Sequence, residues 1–87
     1  MSDNRNRIRA AILDGLRQIA PEADIESLAP DADIRLSLEI DSFDFLRLLI
    51  GLNERLGVEI PERDYGELGT LKSLVDYLAQ QVGAKPH

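Results

Sequence analysis

Residues 38–46 read LEIDSFDFL, and in this stretch a long polar loop gives way to an apolar helix. Asp41 is a favourable N-cap residue, and Asp44 has the spacing of the acid in a capping box. Ser42 therefore falls in the first helical turn, where backbone N–H groups point outwards and the helix dipole favours an anion. A phosphate esterified to Ser42 would lie at such an anion site, but capping alone is the commoner reason for a serine at this position.

The helix that begins at Ser42 is predicted to end near Leu56, with Gly57 as its C-cap. Apolar residues fill more than half of its helical wheel, which is more than a surface helix needs for packing. Asp44, Arg47 and Glu54 belong to the remaining polar strip. Three apolar residues at the edge of the apolar arc are candidates for contacts with a partner: Phe43, Leu48 and Ile50.

Two other long helices are predicted from apolar residues that recur at helical spacing. The first begins at residue 2 or 3 and runs to about Ala20, because Pro21 disfavours helical geometry in the residue before it. The last is capped by Thr70, presents one apolar face and stops at Gly83. A short helix is expected at residues 62–68.

Residues 21–41 are predicted to form a loop, since they contain two prolines, scattered acids and widely spaced apolar residues. A short helical turn is expected around Asp24 to Leu28. A loop of this length needs anchors in the core, and four apolar residues can supply them: Ile25, Leu28, Ile34 and Leu38. The expected fold is all-α, a four-helix bundle with three main helices, one short helix and a long loop between the first two. We expect a single domain over residues 1–87, with its core at about 4–82 and a frayed tail at 83–87.

The charge of the chain is unevenly distributed. The net charge is −6, but residues 1–17 carry +2 and the remaining residues carry −8. An acidic surface repels phosphate backbones and suits basic protein partners, so we expect no nucleic-acid binding. The chain has no cysteine, no apolar run of membrane-spanning length and no signal-peptide pattern. These features favour a cytoplasmic protein without a membrane span, and we expect a monomer.

Residues for catalysis or metal binding do not cluster anywhere in the sequence. The one histidine is the terminal His87, and there is neither a glycine-rich phosphate loop nor a cysteine pair. Asp31 and Asp33 have the spacing of the first ligands of a calcium loop, but Arg35 stands at its fifth position and Ser42 at its twelfth. We therefore predict neither an enzyme nor a metal site.

The stretch from Leu38 to Asp44 resembles the Asp-Ser-Leu signature of acyl carrier proteins. The similarity continues through the apolar helix, Gly57–Pro61 and Thr70–Leu78, and it is close over about residues 34–82. The resemblance implies a bundle whose third helix is short. It also implies a 4′-phosphopantetheine arm on Ser42, transferred from coenzyme A by a magnesium-dependent phosphopantetheinyl transferase. The thiol of that arm would hold an acyl group as a thioester.

In the family, partner enzymes dock on the second helix and on the loop before it. The resemblance therefore implies docking roles for six residues: Asp41, Phe43, Asp44, Arg47, Ile50 and Glu54. Glu39 stands where the family usually has glycine, Phe43 replaces a leucine, and Arg47 replaces a residue that is often acidic. A basic docking patch would meet weaker complementarity at Arg47, so we hypothesise a specialised carrier.

Three functional hypotheses are open at this stage. The first is an acyl carrier for lipid, polyketide or related biosynthesis, served by an acyl-loading ligase or synthase enzymes. The second is an aminoacyl or peptidyl carrier that is loaded by an adenylating ligase. The third is a helical interaction adaptor, in which Ser42 serves only as part of the helix cap.

Overall fold

A computed structural model describes residues 2–84, with side chains from residue 4 to residue 82. These residues form no strand and contain, in chain order, α1 (Ser2–Ile19), a 3₁₀ turn (Ile25–Ser27), α2 (Ile34–Leu38), α3 (Ser42–Leu56), a 3₁₀ helix (Glu62–Glu67) and α4 (Leu71–Ala84). The all-α prediction is confirmed, with α1, α3 and α4 as the three main helices. Within residues 2–84, no helix is both long enough and apolar enough to cross a membrane.

Helix α1 packs against both α3 and α4. Its apolar stripe is buried at Ile8, Ala11, Ile12 and Leu16, because these residues recur every three or four positions and so share one face. The helices α3 and α4 bury corresponding stripes, which close one continuous core. Removing this apolar surface from water is the main favourable contribution to the stability of such a bundle.

The segment before α3 is more ordered than the sequence predicted. Ile25, Leu28 and Ile34 are buried as expected, and Leu38 is half-buried. The prediction of an irregular loop is wrong at residues 34–38, which form α2. The carboxylate of Asp33 caps this helix by accepting a hydrogen bond from the amide of Leu36 at 3.0 Å.

Two backbone hydrogen bonds tie the segment before α3 to the beginning of α4. The amide of Ile34 donates to the carbonyl of Gly69 at 2.8 Å, and that of Lys72 donates to the carbonyl of Pro30 at 2.7 Å. These bonds join residues more than thirty positions apart, which is why local sequence rules did not predict α2. They hold α2 and the residues that follow it against the bundle.

The C-terminal half follows its prediction with one exception. The 3₁₀ helix is joined to α4 by the hydroxyl of Tyr77, which donates to Asp64 at 2.8 Å. Burial raises the pKa of Tyr77, and this hydrogen bond raises it further. The hydroxyl of Thr70 caps α4 as predicted. The predicted stop at Gly83 is wrong, since α4 continues to Ala84, and the tail at 85–87 lies outside the described residues.

Candidate functional site

Ser42 is the first residue of α3, and the cap before it forms as predicted. Asp41 has extended backbone geometry, and its carboxylate accepts a hydrogen bond from the amide of Asp44 at 2.8 Å. The return bond of a capping box is not found among the described residues. The carboxylate of Asp44 instead lies 3.9 Å from the guanidinium of Arg47.

The first turn of α3 has the features of a phosphate-binding helix terminus. Ser42 is exposed. The amides of Ser42 and Phe43 have no hydrogen-bond partner within residues 2–84. Unpaired amides at the start of a long helix carry partial positive charge and bind phosphate oxygens. A phosphodiester at the hydroxyl of Ser42 therefore fits the residues present.

The approach to Ser42 is determined by the end of α2. Glu39 adopts the left-handed conformation, with φ 55° and ψ 41°. The amides of Glu39 and Ile40 both donate to the carbonyl of Arg35. This arrangement ends the helix as a left-handed C-cap does, and α3 begins three residues later, at Ser42.

Four residues of α3 form what we call the exposed face: Phe43, Arg47, Ile50 and Glu54. Their spacing of four, three and four residues puts them on one side of the helix. Phe43 is 66 % exposed and Ile50 is 48 % exposed, and the side chain of Arg47 is 64 % exposed. Leu48 is buried, so only two of the three apolar residues proposed for partner contacts remain accessible.

Leu36, which the sequence pattern did not indicate, lies on α2 and is 79 % exposed. It is the most exposed large hydrophobic residue in the part of the chain that the structure describes. Residues 34–38 carried no signal that would have revealed it, because five residues are too few to show a helical period. Beside it, the guanidinium of Arg35 lies 5.9 Å from the centre of the Phe45 ring, within the range of a cation–π contact.

Charged groups of both signs surround the beginning of α3. Glu39, Asp41 and Asp44 contribute three carboxylates, and Arg35 and Arg47 contribute two guanidinium groups. Since Arg47 lies close to Asp44, its charge partly compensates the acidic cap. Of the six predicted docking residues, Asp44 is half-buried and the other five are exposed.

Comparisons with known proteins agree with this architecture. Residues 8–78 match the family model described as "Phosphopantetheine attachment site". The chain is 30% identical over 83 residues to the acyl carrier protein of Thermosynechococcus vestitus, covering 95% of this chain and 96% of that protein. It is 32% identical over 75 residues to that of Rubrobacter xylanophilus, covering 83% and 93%, and 38% identical over 61 residues to that of Syntrophobacter fumaroxidans, covering 70% and 75%.

The matched span contains α3 and its cap, and nearly the full length of two of these relatives is covered. Proteins of this kind are carriers and not catalysts. The chain therefore belongs to the acyl carrier protein family, whose members hold a covalently attached 4′-phosphopantetheine group.

Proposed function

We propose that Ser42 is the attachment point of the 4′-phosphopantetheine group, and that the protein carries acyl groups as thioesters on this arm. The observation that carries the proposal is the exposed hydroxyl of Ser42 beside two unpaired amides at the start of α3. The amides of Ser42 and Phe43 would donate hydrogen bonds to a phosphodiester formed there, and the positive end of the helix dipole would stabilise its charge. The rigid bundle then holds the arm, and the arm supplies the thiol.

Attachment at Ser42 is a phosphoryl-group transfer. The Ser42 Oγ attacks the phosphorus that bears the pantetheine arm in the diphosphate of coenzyme A. The bond from that phosphorus to adenosine 3′,5′-bisphosphate breaks, and the hydroxyl proton passes to a base of the transferase. Asp41 fixes the helix end on which the oxygen is presented, because its carboxylate bonds the amide of Asp44.

Docking of partner enzymes is assigned to the cap and to the exposed face of α3. Phe43 and Ile50 offer apolar contacts, while Asp41, Asp44 and Glu54 offer carboxylates. Arg47 lies between the apolar residues, and its side chain is 64 % exposed. A surface of mixed charge selects partners with a matching pattern, which supports a carrier dedicated to one lipid, polyketide or related pathway.

The attachment site is tested by incubating the purified protein with coenzyme A, magnesium and a broad-specificity phosphopantetheinyl transferase. Intact-protein mass spectrometry should detect the addition of one phosphopantetheinyl group to the wild type and none to Ser42→Ala. Ser37→Ala is the matched control, because Ser37 is also exposed and lies on the preceding helix, and this variant should be modified normally. A modified Ser42→Ala protein would overturn the assignment, and an unmodified wild type would oppose the carrier function.

The class of cargo is tested on the modified protein. Candidate ligases that adenylate fatty acids, aromatic acids or amino acids are supplied with ATP and each acid in turn. A gain in mass with acyl substrates and none with amino acids is the expected outcome, in line with the names of the relatives. Loading by amino acids alone would favour the aminoacyl carrier.

A further inference from the structure

Two grooves near α3 differ in charge. The larger, of about 840 Å³, lies between the end of α1, the loop and the start of α3. Four acids line it, Glu22, Asp24, Glu39 and Asp44, and no basic residue does. The smaller, of about 280 Å³, lies between α1 and α3 and is called the α1–α3 groove here. Its lining contains two arginines and no acid, so this lining is more favourable for an anionic group than that of the first groove, even though each arginine is also paired with a carboxylate outside the lining.

The α1–α3 groove is open because of a glycine. A Cβ atom added to Gly51 would have no atom within 4 Å, so close packing does not require glycine at this position. Glycine in the interior of a helix is less stable than alanine, and Gly51 is in the middle of α3. Its missing side chain leaves free the space above an apolar floor that includes Ala11, Leu48 and Leu52.

Most hydrogen-bond donors of the two arginines are unused within the described part of the chain. Arg47 and Arg55 are the first and last residues of α3 that line the groove, and eight residues correspond to about 12 Å of helix rise. Within residues 2–84, Arg47 makes no hydrogen bond and has one ion pair at 3.9 Å. Arg55 makes one, to Asp14 at 3.1 Å. A guanidinium has five donors in a fork that fits a carboxylate.

We propose that the α1–α3 groove holds the far end of a short acyl cargo that ends in a carboxylate. This inference rests on the proposed attachment of the arm to Ser42. Arg47 follows Ser42 by five residues, which is about 7.5 Å of helix rise and about 140° of rotation around the helix, so the arm must pass around the first turns of α3 to reach the groove. The guanidinium of Arg47 lies 3.9 Å from the carboxylate of Asp44, which places it towards the start of the helix. The groove is at the lower limit of small-molecule sites, about 300–1,000 Å³, so it fits a short chain and not a long fatty acyl group.

The test compares two cargoes that differ only at the far end. The broad-specificity transferase is supplied with glutaryl-coenzyme A or with pentanoyl-coenzyme A, in which a methyl group replaces the carboxylate. The amide resonances of Gly15 and Gly51 should move with the glutaryl cargo and stay in place with the pentanoyl cargo. Hydrolysis of the glutaryl thioester should be slower on the wild type than on Arg55→Gln by about two- to fivefold, the factor expected for one partly exposed ion pair. High ionic strength should reduce this difference.

Variants test whether these effects arise in the α1–α3 groove. Gly51→Leu fills the groove and Arg55→Gln removes a charge, and each should abolish the shift of the Gly15 amide and the slower hydrolysis. Gly66→Leu is the matched control, because a Cβ at Gly66 also meets no atom within 4 Å and Gly66 lies outside the groove. Asp14→Asn, which releases Arg55 from its partner, should strengthen both effects.

The possible results distinguish the two proposals. Equal shifts with both cargoes would overturn the carboxylate assignment, and no shift with either cargo would overturn the groove as a cargo site. Failure to load any cargo would instead contradict the attachment proposal, because loading precedes every measurement on the groove. Thermal unfolding of Gly51→Leu and Gly66→Leu checks that both remain folded, and Gly51→Phe provides a second groove-filling variant.

Discussion

As the C-cap of α2, Glu39 adopts a left-handed backbone conformation, which is unfavourable for a residue with a Cβ atom. Among the described residues it is the one non-glycine residue with positive φ. The left-handed conformation costs an L-residue about 1–2 kcal/mol. Replacement by glycine removes this cost, but part of the gain in stability is lost because glycine has a larger entropy in the unfolded chain. We expect Glu39→Gly to raise the free energy of unfolding by about 0.5–1 kcal/mol. Urea denaturation should give a higher midpoint with an unchanged slope.

The matched control for this change is Glu39→Ala, which removes the charge and keeps the Cβ. It should gain much less stability than the glycine variant, because the strained φ remains. Glu39 is close in sequence to Asp41 and Asp44, so removing its charge also relieves repulsion among the three carboxylates. Equal gains from alanine and glycine would attribute the effect to charge and not to the backbone.

Single residues were predictable where their neighbours in sequence decide their role. Asp41 and Thr70 cap their helices as predicted, because N-capping depends on a side chain and an amide two or three positions away. Gly57 ends α3 as predicted, because glycine adopts the left-handed conformation, here with φ 67°, without a steric cost. The exposure of Leu36 and the burial of Leu48 were not predictable in this way. Both depend on which helices pack against α2 and α3, which the local pattern leaves open.

The contact between α1 and α3 provides a test of helix packing with two glycines. A Cβ at Gly15 would lie 2.7 Å from the Cδ1 atom of Leu48, a buried residue, whereas a Cβ at Gly51 meets nothing. Alanine improves helix propensity equally at both positions, by about 0.8–1 kcal/mol. Gly51→Ala should therefore be more stable than the wild type. Gly15→Ala should be less stable than Gly51→Ala by about 1–3 kcal/mol, the usual cost of overpacking.

Thermal unfolding of the two alanine variants in the same buffer measures this difference. Because the gain in propensity cancels between them, the difference reports the clash with Leu48 alone. Equal melting temperatures would mean that Leu48 adopts another rotamer without cost, and that α1 and α3 are less tightly packed than the structure indicates.

Long helices were predictable for a different reason from the caps. The helices α1, α3 and α4 contain fourteen residues or more, so the period of their apolar residues is repeated often enough to identify them. Helix α2 has five residues, which is too few for a period. It is held by its cap at Asp33 and by the bond from Ile34 to Gly69. Elements that depend on distant partners cannot be identified from their own sequence.

The whole molecule is acidic, but its acidity is interrupted where partners are expected to dock. The net charge is −6, and three carboxylates surround the start of α3. Arg47 on the exposed face places a positive charge between Phe43 and Ile50. Complementary charge across an interface mainly raises the association rate, and like charge lowers it. Arg47 should therefore slow the encounter with any enzyme whose carrier-binding surface is basic.

Reversing this charge should improve the protein as a substrate for a transferase with a basic carrier-binding surface. We expect Arg47→Glu to raise the kcat/KM of phosphopantetheinylation by about two- to tenfold at low salt, since rim charges act on the association rate. The gain should shrink as salt screens the charges. Arg7→Glu is the control, because Arg7 is also exposed but lies on α1. This substitution changes the net charge by the same amount. A similar gain from Arg7→Glu would assign the effect to total charge, whereas no gain from Arg47→Glu would remove Arg47 from the docking surface.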